Sequence, residues 1–293
     1  MLILSDDPAS QIVPGRAKLA YLGSPESLSR ARAWLDARTA DHVECPGHEP
    51  VDLPTRLVQV SPLEDSESAW LCCGDGEKGR YCALSYCWGG PQPFSTTITR
   101  LSDYFDRLPY RQLPQTIIDA FQVARSLGIH YIWIDSLCIV QDDQADVQSE
   151  LSKMLQIYKN ALFVISAAST TTCHEGFFHK RHMTFGMPHA GLRLPLQIDR
   201  ETLGSAILSR YMFWEDVGEG EDPLPINTRA WTLQEAYLAT RLLVFTHSNM
   251  MWECSKPDRG PWIDPDSGKP SRLSSDECWR RWLLERGYVF MGK

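Results

Sequence analysis

Three acidic side chains stand where chemistry could be done. Asp135 closes the run Tyr-Ile-Trp-Ile at 131–134, whose aromatic and β-branched residues predict a buried strand. Glu150 follows the polar turn Gln141-Asp142-Asp143, on the first turns of a helix marked by Val147, Leu151, Met154 and Tyr158 at helical spacing. Glu235 ends the block TRAWTLQE at 228–235, which gathers Arg229, Trp231 and Gln234 beside it. In an open α/β sheet, ligands bind outside the carboxyl ends of the strands. A carboxylate placed there accepts hydrogen bonds from ligand hydroxyls or steadies a developing positive charge. Plainer accounts fit the same positions. Asp135 can cap buried backbone amides, Glu150 can be a solvated residue favoured by the helix dipole, and Glu235 can pair with Arg229 or Arg241.

The elements that must position these groups read as alternating strands and helices. Leu162 to Ala168 is a second continuous apolar run, short enough for a parallel strand reached by a right-handed crossover. A further strand is predicted at 81–86, ended by Gly89-Gly90-Pro91, and a helix at 115–127, with Thr116 and Asp119 spaced as a capping box and Gly128 as its stop. Ser24 to Ala40 has a cap and one apolar face. The Gly-rich stretch from Gly74 to Gly79 suggests a hairpin joining strands at 70–73 and 81–86. Strands at 242–246 and 250–254 flank turn residues His247-Ser248-Asn249. Between Thr170 and Pro225 the pattern loosens into an irregular insertion with a few short strands. The expected organisation is an arm at 1–30, a domain at 31–254 and an extension at 255–293. Alternation with short connections predicts an α/β fold with a mostly parallel central sheet flanked by helices.

Composition narrows the function classes. The chain has 293 residues, 43% of them hydrophobic, and a formal net charge of -8. That acidity argues against an electrostatic grip on nucleic acid or an anionic membrane. No apolar run approaches the roughly 20 residues needed to span a bilayer, and the N-terminus lacks a basic start and a long apolar core, so a soluble, cytoplasmic protein is expected. The 9 cysteines are odd in number. Several, including Cys82, Cys87 and Cys138, lie in or beside apolar runs, where a thiol acts as a small hydrophobe, which suits a reducing compartment. His42, Cys45, His48 and the adjacent pair Cys72-Cys73 match no familiar zinc module, and no metal is expected. No GxGxxG, P-loop, HExxH or GxSxG motif is present.

Taken in order, the blocks ARAWL at 31–35, LPTRLVQV at 53–60, YCALSYCWGG at 81–90, LPQTIIDAFQVARSLGIHYIWIDSLCIVQDD at 113–143, ELSKMLQIYKNALFVISAAS at 150–169 and TRAWTLQEAYLATRLLVF at 228–245 resemble the fungal heterokaryon incompatibility (HET) domain. The resemblance implies a cell-death effector of non-self recognition. HET domains are thought to be remotely similar to Toll/interleukin-1 receptor (TIR) domains, so it also implies a flavodoxin-like sheet and, as in many TIR domains, hydrolysis of NAD to nicotinamide and ADP-ribose. NAD would be the substrate, with no separate cofactor. On this scheme Glu150 is the catalytic glutamate, with Glu235 as rival. Tyr86, Trp88 and Gly89 supply an aromatic wall and close backbone approach, and Asp135, Ser136, Arg229, Trp231 and Glu235 complete the substrate site. Partners implied are further copies of the chain and a sensor protein or fused sensor domain. The alternative function is a non-enzymatic death-fold adaptor acting by self-association.

Overall fold

The computed structural model describes residues 7–11, 21–41, 49–61, 67–179, 192–199, 202–208, 224–228, 235–247 and 250–254. The chain divides into two compact units, one of residues 22–179 and 224–256, the other of 1–21, 180–223 and 257–293. The larger unit opens with α1 (Pro25–Asp41), β1 (Val51–Asp52), β2 (Arg56–Val60), β3 (Ala69–Cys73), β4 (Lys78–Gly79) and β5 (Cys82–Ser85). It continues through α2 (Leu101–Asp106), α3 (Gln115–Ser126), β6 (Tyr131–Trp133), α4 (Asp135–Cys138), α5 (Gln144–Asn160) and β7 (Phe163–Ala167). The smaller unit holds β8 (Leu192–Gln197) and β9 (Leu203–Leu208), which pair antiparallel within the stretch expected to be an insertion; the Asp7 carboxylate accepts the Ser205 amide there. The strands β10 (Arg241–Phe245) and β11 (Met250–Cys254) return to the larger unit.

A mixed sheet of 7 strands in the order β11-β10-β7-β5-β6-β2-β3 forms the centre. Its middle strands β10, β7, β5 and β6 run parallel, and the outer ones are antiparallel to their neighbours. The order β6-β5-β7-β10 corresponds to 2-1-3-4, the start of the flavodoxin-type doubly wound sheet. Sequence accounts for this directly. Every residue of β5, β7 and β10 is buried, the pattern of strands covered on both faces, whereas β3 alternates as an edge strand does. From β5 the chain steps to β6 on one side and then crosses to β7 on the other. Right-handed crossovers therefore place α3 and α5 on opposite faces. On the α5 face Tyr158 meets Trp133 edge-on at 5.6 Å, and the Tyr81 hydroxyl donates to the Ile157 carbonyl at 2.6 Å. Among the described residues no helix is long and apolar enough to cross a membrane.

Two local expectations are corrected. The strand at 69–73 is not hairpinned to β5. It pairs with β2, the Gly74 amide bonds the Thr55 carbonyl, and β4 pairs with β1, so residues 51–60 supply the partners the Gly-rich turn seemed to offer. Nor do Thr116 and Asp119 form a capping box. Pro114 is the N-cap of α3 with no side-chain cap bond, and the Asp119 carboxylate instead accepts from Gln115 and from the Phe177 and Phe178 amides. A loop distant in sequence competes for that carboxylate and wins.

The start of α5 is anchored with care. Asp143 caps it by accepting from the Ala145 and Asp146 amides. Arg56 of β2 donates to Asp146 at 2.5 Å and to the Cys138 carbonyl at 2.8 Å, and Asp146 also accepts the Val140 amide at 2.8 Å. Burial alone would raise the Asp146 carboxyl, but the Arg56 hydrogen bond, the Val140 amide and the Arg56 charge outweigh it and hold it below the usual range. Because the folded carboxyl titrates below the unfolded one, its stabilisation is complete above the ordinary carboxylate range and is lost as pH falls through the lowered folded value. Arg56→Ala should cost about 1–3 kcal/mol at neutral pH. Urea unfolding of both proteins across acidic pH checks this: the difference should shrink as the pH falls.

Candidate functional site

The carboxyl ends of β5 and β6 and the exposed side of α5 enclose a cleft. Its lining residues are Trp88, Asp135, Ile139, Gln141, Val147, Leu151, Met154 and Glu235. Trp88 leaves the end of β5 and its indole Nε1 donates to Asp135 Oδ2 at 2.9 Å; the other Asp135 oxygen accepts the Ser136 amide at 2.7 Å. Both oxygens are thus held in place. Gln141 donates from Nε2 to the carbonyls of Asp135 (2.9 Å) and Ile139 (3.2 Å), tying down the turn after α4. Glu235 lies in the helical stretch 235–238 and is 6% exposed, with Oε2 accepting a short hydrogen bond from the Ser85 hydroxyl. Ser85 is the last residue of β5, so the strand itself positions this carboxylate.

The cleft has a cavity volume of about 140 Å³. That is below the roughly 300–1,000 Å³ of sites that engulf a drug-sized ligand.

The structure brings only some of the sequence-selected residues together. Asp135, Trp88 and Glu235 line the cleft, whereas Glu150 does not. Glu150 is 1% exposed, beside the start of β2, where Oε1 accepts from Thr55 (2.8 Å) and Lys153 (2.9 Å) while Oε2 is buried without a hydrogen-bond partner. Tyr86 and Ser136 lie behind the cleft wall, joined by a 2.8 Å bond from the Tyr86 hydroxyl to Ser136 Oγ. Burial, then the charge of Asp135, push that phenol well above its ordinary range, so it stays protonated and braces α4. Cys138 is likewise inert, its thiol raised by burial. Arg229 and Trp231, like His42, Cys45 and His48, lie outside the described residues.

Gly89 has a backbone role. Its φ is +70°, and a Cβ there would come within 2.5 Å of the Thr172 backbone, so the close approach of the loop after β5 to the loop after β7 requires glycine at this position. Gly89→Ala should destabilise by about 2 kcal/mol or more, read as a lower urea midpoint with unchanged slope.

Reasoning from sequence missed Ser85, Ile139 and Gln141 as site residues and gave Val147, Leu151 and Met154 no part in the site; Val147 and Met154 pack against the core and also line the cleft. Their spacing marks an apolar helix face without saying what it meets. Here that face walls a cleft, and Leu151 is 48% exposed.

The sequence model of the heterokaryon incompatibility (HET) protein family matches residues 81–235, more than half of the 293-residue chain. The chain belongs to the HET family. The matched stretch runs from the residue before β5 to Glu235 and contains every residue that lines the cleft. Neither a curated protein nor a solved structure matches the chain. Membership assigns this HET protein a role in heterokaryon incompatibility and the cell death that accompanies it.

Proposed function

We propose that this HET domain brings about cell death by hydrolysing NAD in the acid-lined cleft. The observation that carries the reading is the convergence of two carboxylates, Asp135 and Glu235, on one cavity beside Trp88 at the carboxyl edge of parallel strands. Cleaving the N-glycosidic bond needs little general acid, because the leaving group is a cationic pyridinium that becomes neutral as it departs. The electron pair of the C1′–N1 bond passes to the ring nitrogen, water oxygen bonds to C1′, and the proton from water passes to a carboxylate and on to solvent. The demand is for a negative charge that steadies the oxocarbenium-like ribose. Glu235, nearly buried and held by Ser85, fits that role better than Glu150, whose carboxylate is engaged by Thr55 and Lys153 away from the cleft. Asp135, held by Trp88 and Ser136, orients ribose hydroxyls.

Expression of the chain in a host cell tests the reading. Cellular NAD should fall and nicotinamide should rise before growth stops, and an Asp135→Asn variant should slow both by at least about tenfold. Growth arrest with unchanged NAD would refute hydrolysis.

A second reading, a non-enzymatic adaptor acting by self-association, is favoured by Leu151 and Leu155, one turn apart on α5 and 48% and 47% exposed. In that case Leu155→Glu abolishes killing and Glu235→Gln leaves it intact.

A further inference from the structure

We propose that His179 and His247 form a proton-sensitive clasp on the loop after β7, and that mild acid releases this loop together with the Trp88–Gly89 turn it braces. The loop closes on itself at the carboxyl edge of the sheet. Ser169, 2% exposed just beyond β7, has its hydroxyl 3.0 Å from His179 Nε2, and the His247 ring, just beyond β10, lies 5.6 Å from that of His179. Before His179, Asp119 of α3 accepts the Phe177 and Phe178 amides, and the Phe177 ring packs on Phe245 at 4.6 Å. The middle of the loop reaches the candidate site. The Cys173 amide donates to the Trp88 carbonyl at 3.3 Å, Gln92 Nε2 bridges that carbonyl and Cys173 Sγ, and Thr172 abuts Gly89. Trp88 lines the cleft, so the wall that a ligand meets is braced by this loop, whatever that ligand is.

Protonation strains the clasp. Burial first, and His247 second, outweigh the attraction of Asp119 and Glu175 and hold His179 below the ordinary imidazole range. Among the described residues, those two carboxylates are the acidic groups facing His179, and both are already engaged: Asp119 by Gln115 and the two Phe amides, Glu175 by Thr171 and Thr172. An imidazolium at His179 is poorly hydrated and faces a second imidazole; when both rings carry charge they repel. Because the folded value lies below the unfolded one, the closed loop is fully favoured above the ordinary imidazole range, and that contribution is lost as pH falls through the lowered value. The loss falls on the loop first, since local opening costs less than global unfolding.

Hydrogen exchange of the full chain tests this, read by mass spectrometry on peptides spanning 86–94 and 170–179 and corrected for the intrinsic pH dependence of exchange. Between about pH 7.5 and about pH 5.5, protection of both peptides should fall at least about threefold in the wild type, while β7 keeps its protection. His179→Gln keeps a polar partner for Ser169, and in it both peptides should change by less than about 1.5-fold. The Asp119 carboxyl, raised by burial, is present in both proteins and cancels in the comparison. Flat protection in the wild type, an equal fall in the variant, or a fall at 170–179 that leaves 86–94 unchanged would overturn the proposal. Should His179→Gln fail to fold, His247→Phe decides the matter, because it keeps a ring at an exposed position without the charge. That variant should at least about halve the fall, and a fall as large as in the wild type would overturn the proposal.

Discussion

Glu235→Gln should reduce NAD cleavage by about 10²–10³-fold or more while the protein stays folded, and Glu150→Gln should leave cleavage within about threefold. Gln keeps the shape of the side chain and can still accept from Ser85, so what is removed is the negative charge that the proposed mechanism sets against the ribose. The loss should fall on kcat more than on KM, because the charge on the sugar develops only in the transition state. For Glu150 the same change leaves the amide oxygen to accept from Thr55 and loses mainly the contact with half-exposed Lys153. Steady-state kinetics on both variants, with matched unfolding curves, separates the two glutamates. Equal losses would return the role to α5.

Arg125→Met should cost about 3–5 kcal/mol, a large part of the roughly 5–15 kcal/mol that holds a typical domain together. Arg125 sits in the last turn of α3 and is 7% exposed. Its guanidinium donates to the Ser61 carbonyl (2.9 Å), the Ser68 carbonyl (3.1 Å) and the Tyr110 hydroxyl (3.0 Å), and lies 5.3 Å from the Tyr110 ring centroid. Methionine fills much of the volume but takes the guanidinium donors from the Ser61 carbonyl and the Tyr110 hydroxyl, and one of two donors from the Ser68 carbonyl, which keeps the Ser61 amide; a buried group that loses its partner costs desolvation. A urea midpoint within a few tenths molar of wild type would mean that water reaches the site and replaces the arginine.

The central fold was legible because its strands are covered on both faces. Runs such as Phe163–Ala167, apolar except for Ser166, carry a strong strand signal, and the crossover rule then leaves little freedom in assembling them. The pairing of β3 was not legible, since its partner lies before it in the chain while the turn signal lies after it. The same limit applied to Asp119, whose spacing to Thr116 promised a cap but whose Oδ2 accepts the Phe177 amide, 58 residues away, and the Phe178 amide beside it. In the site, Asp135 and Trp88 could be read because each lies within three residues of the end of a strand. Glu150 could not be separated from Glu235, because helical spacing gives a residue's angle around the axis and not what that angle faces. Val147 and Glu150 differ by three positions on α5, enough to put one in the cleft and the other against Thr55. Ser85 carried no signal beyond its place in an apolar strand.

The most direct measurement of the central claim is nicotinamide release from NAD by the purified wild-type chain, followed at rising protein concentration. The account predicts nicotinamide and an ADP-ribose product in equal amounts, with a rate per molecule that rises as the protein is concentrated and its chains associate. A folded protein at high concentration that releases no nicotinamide would contradict it.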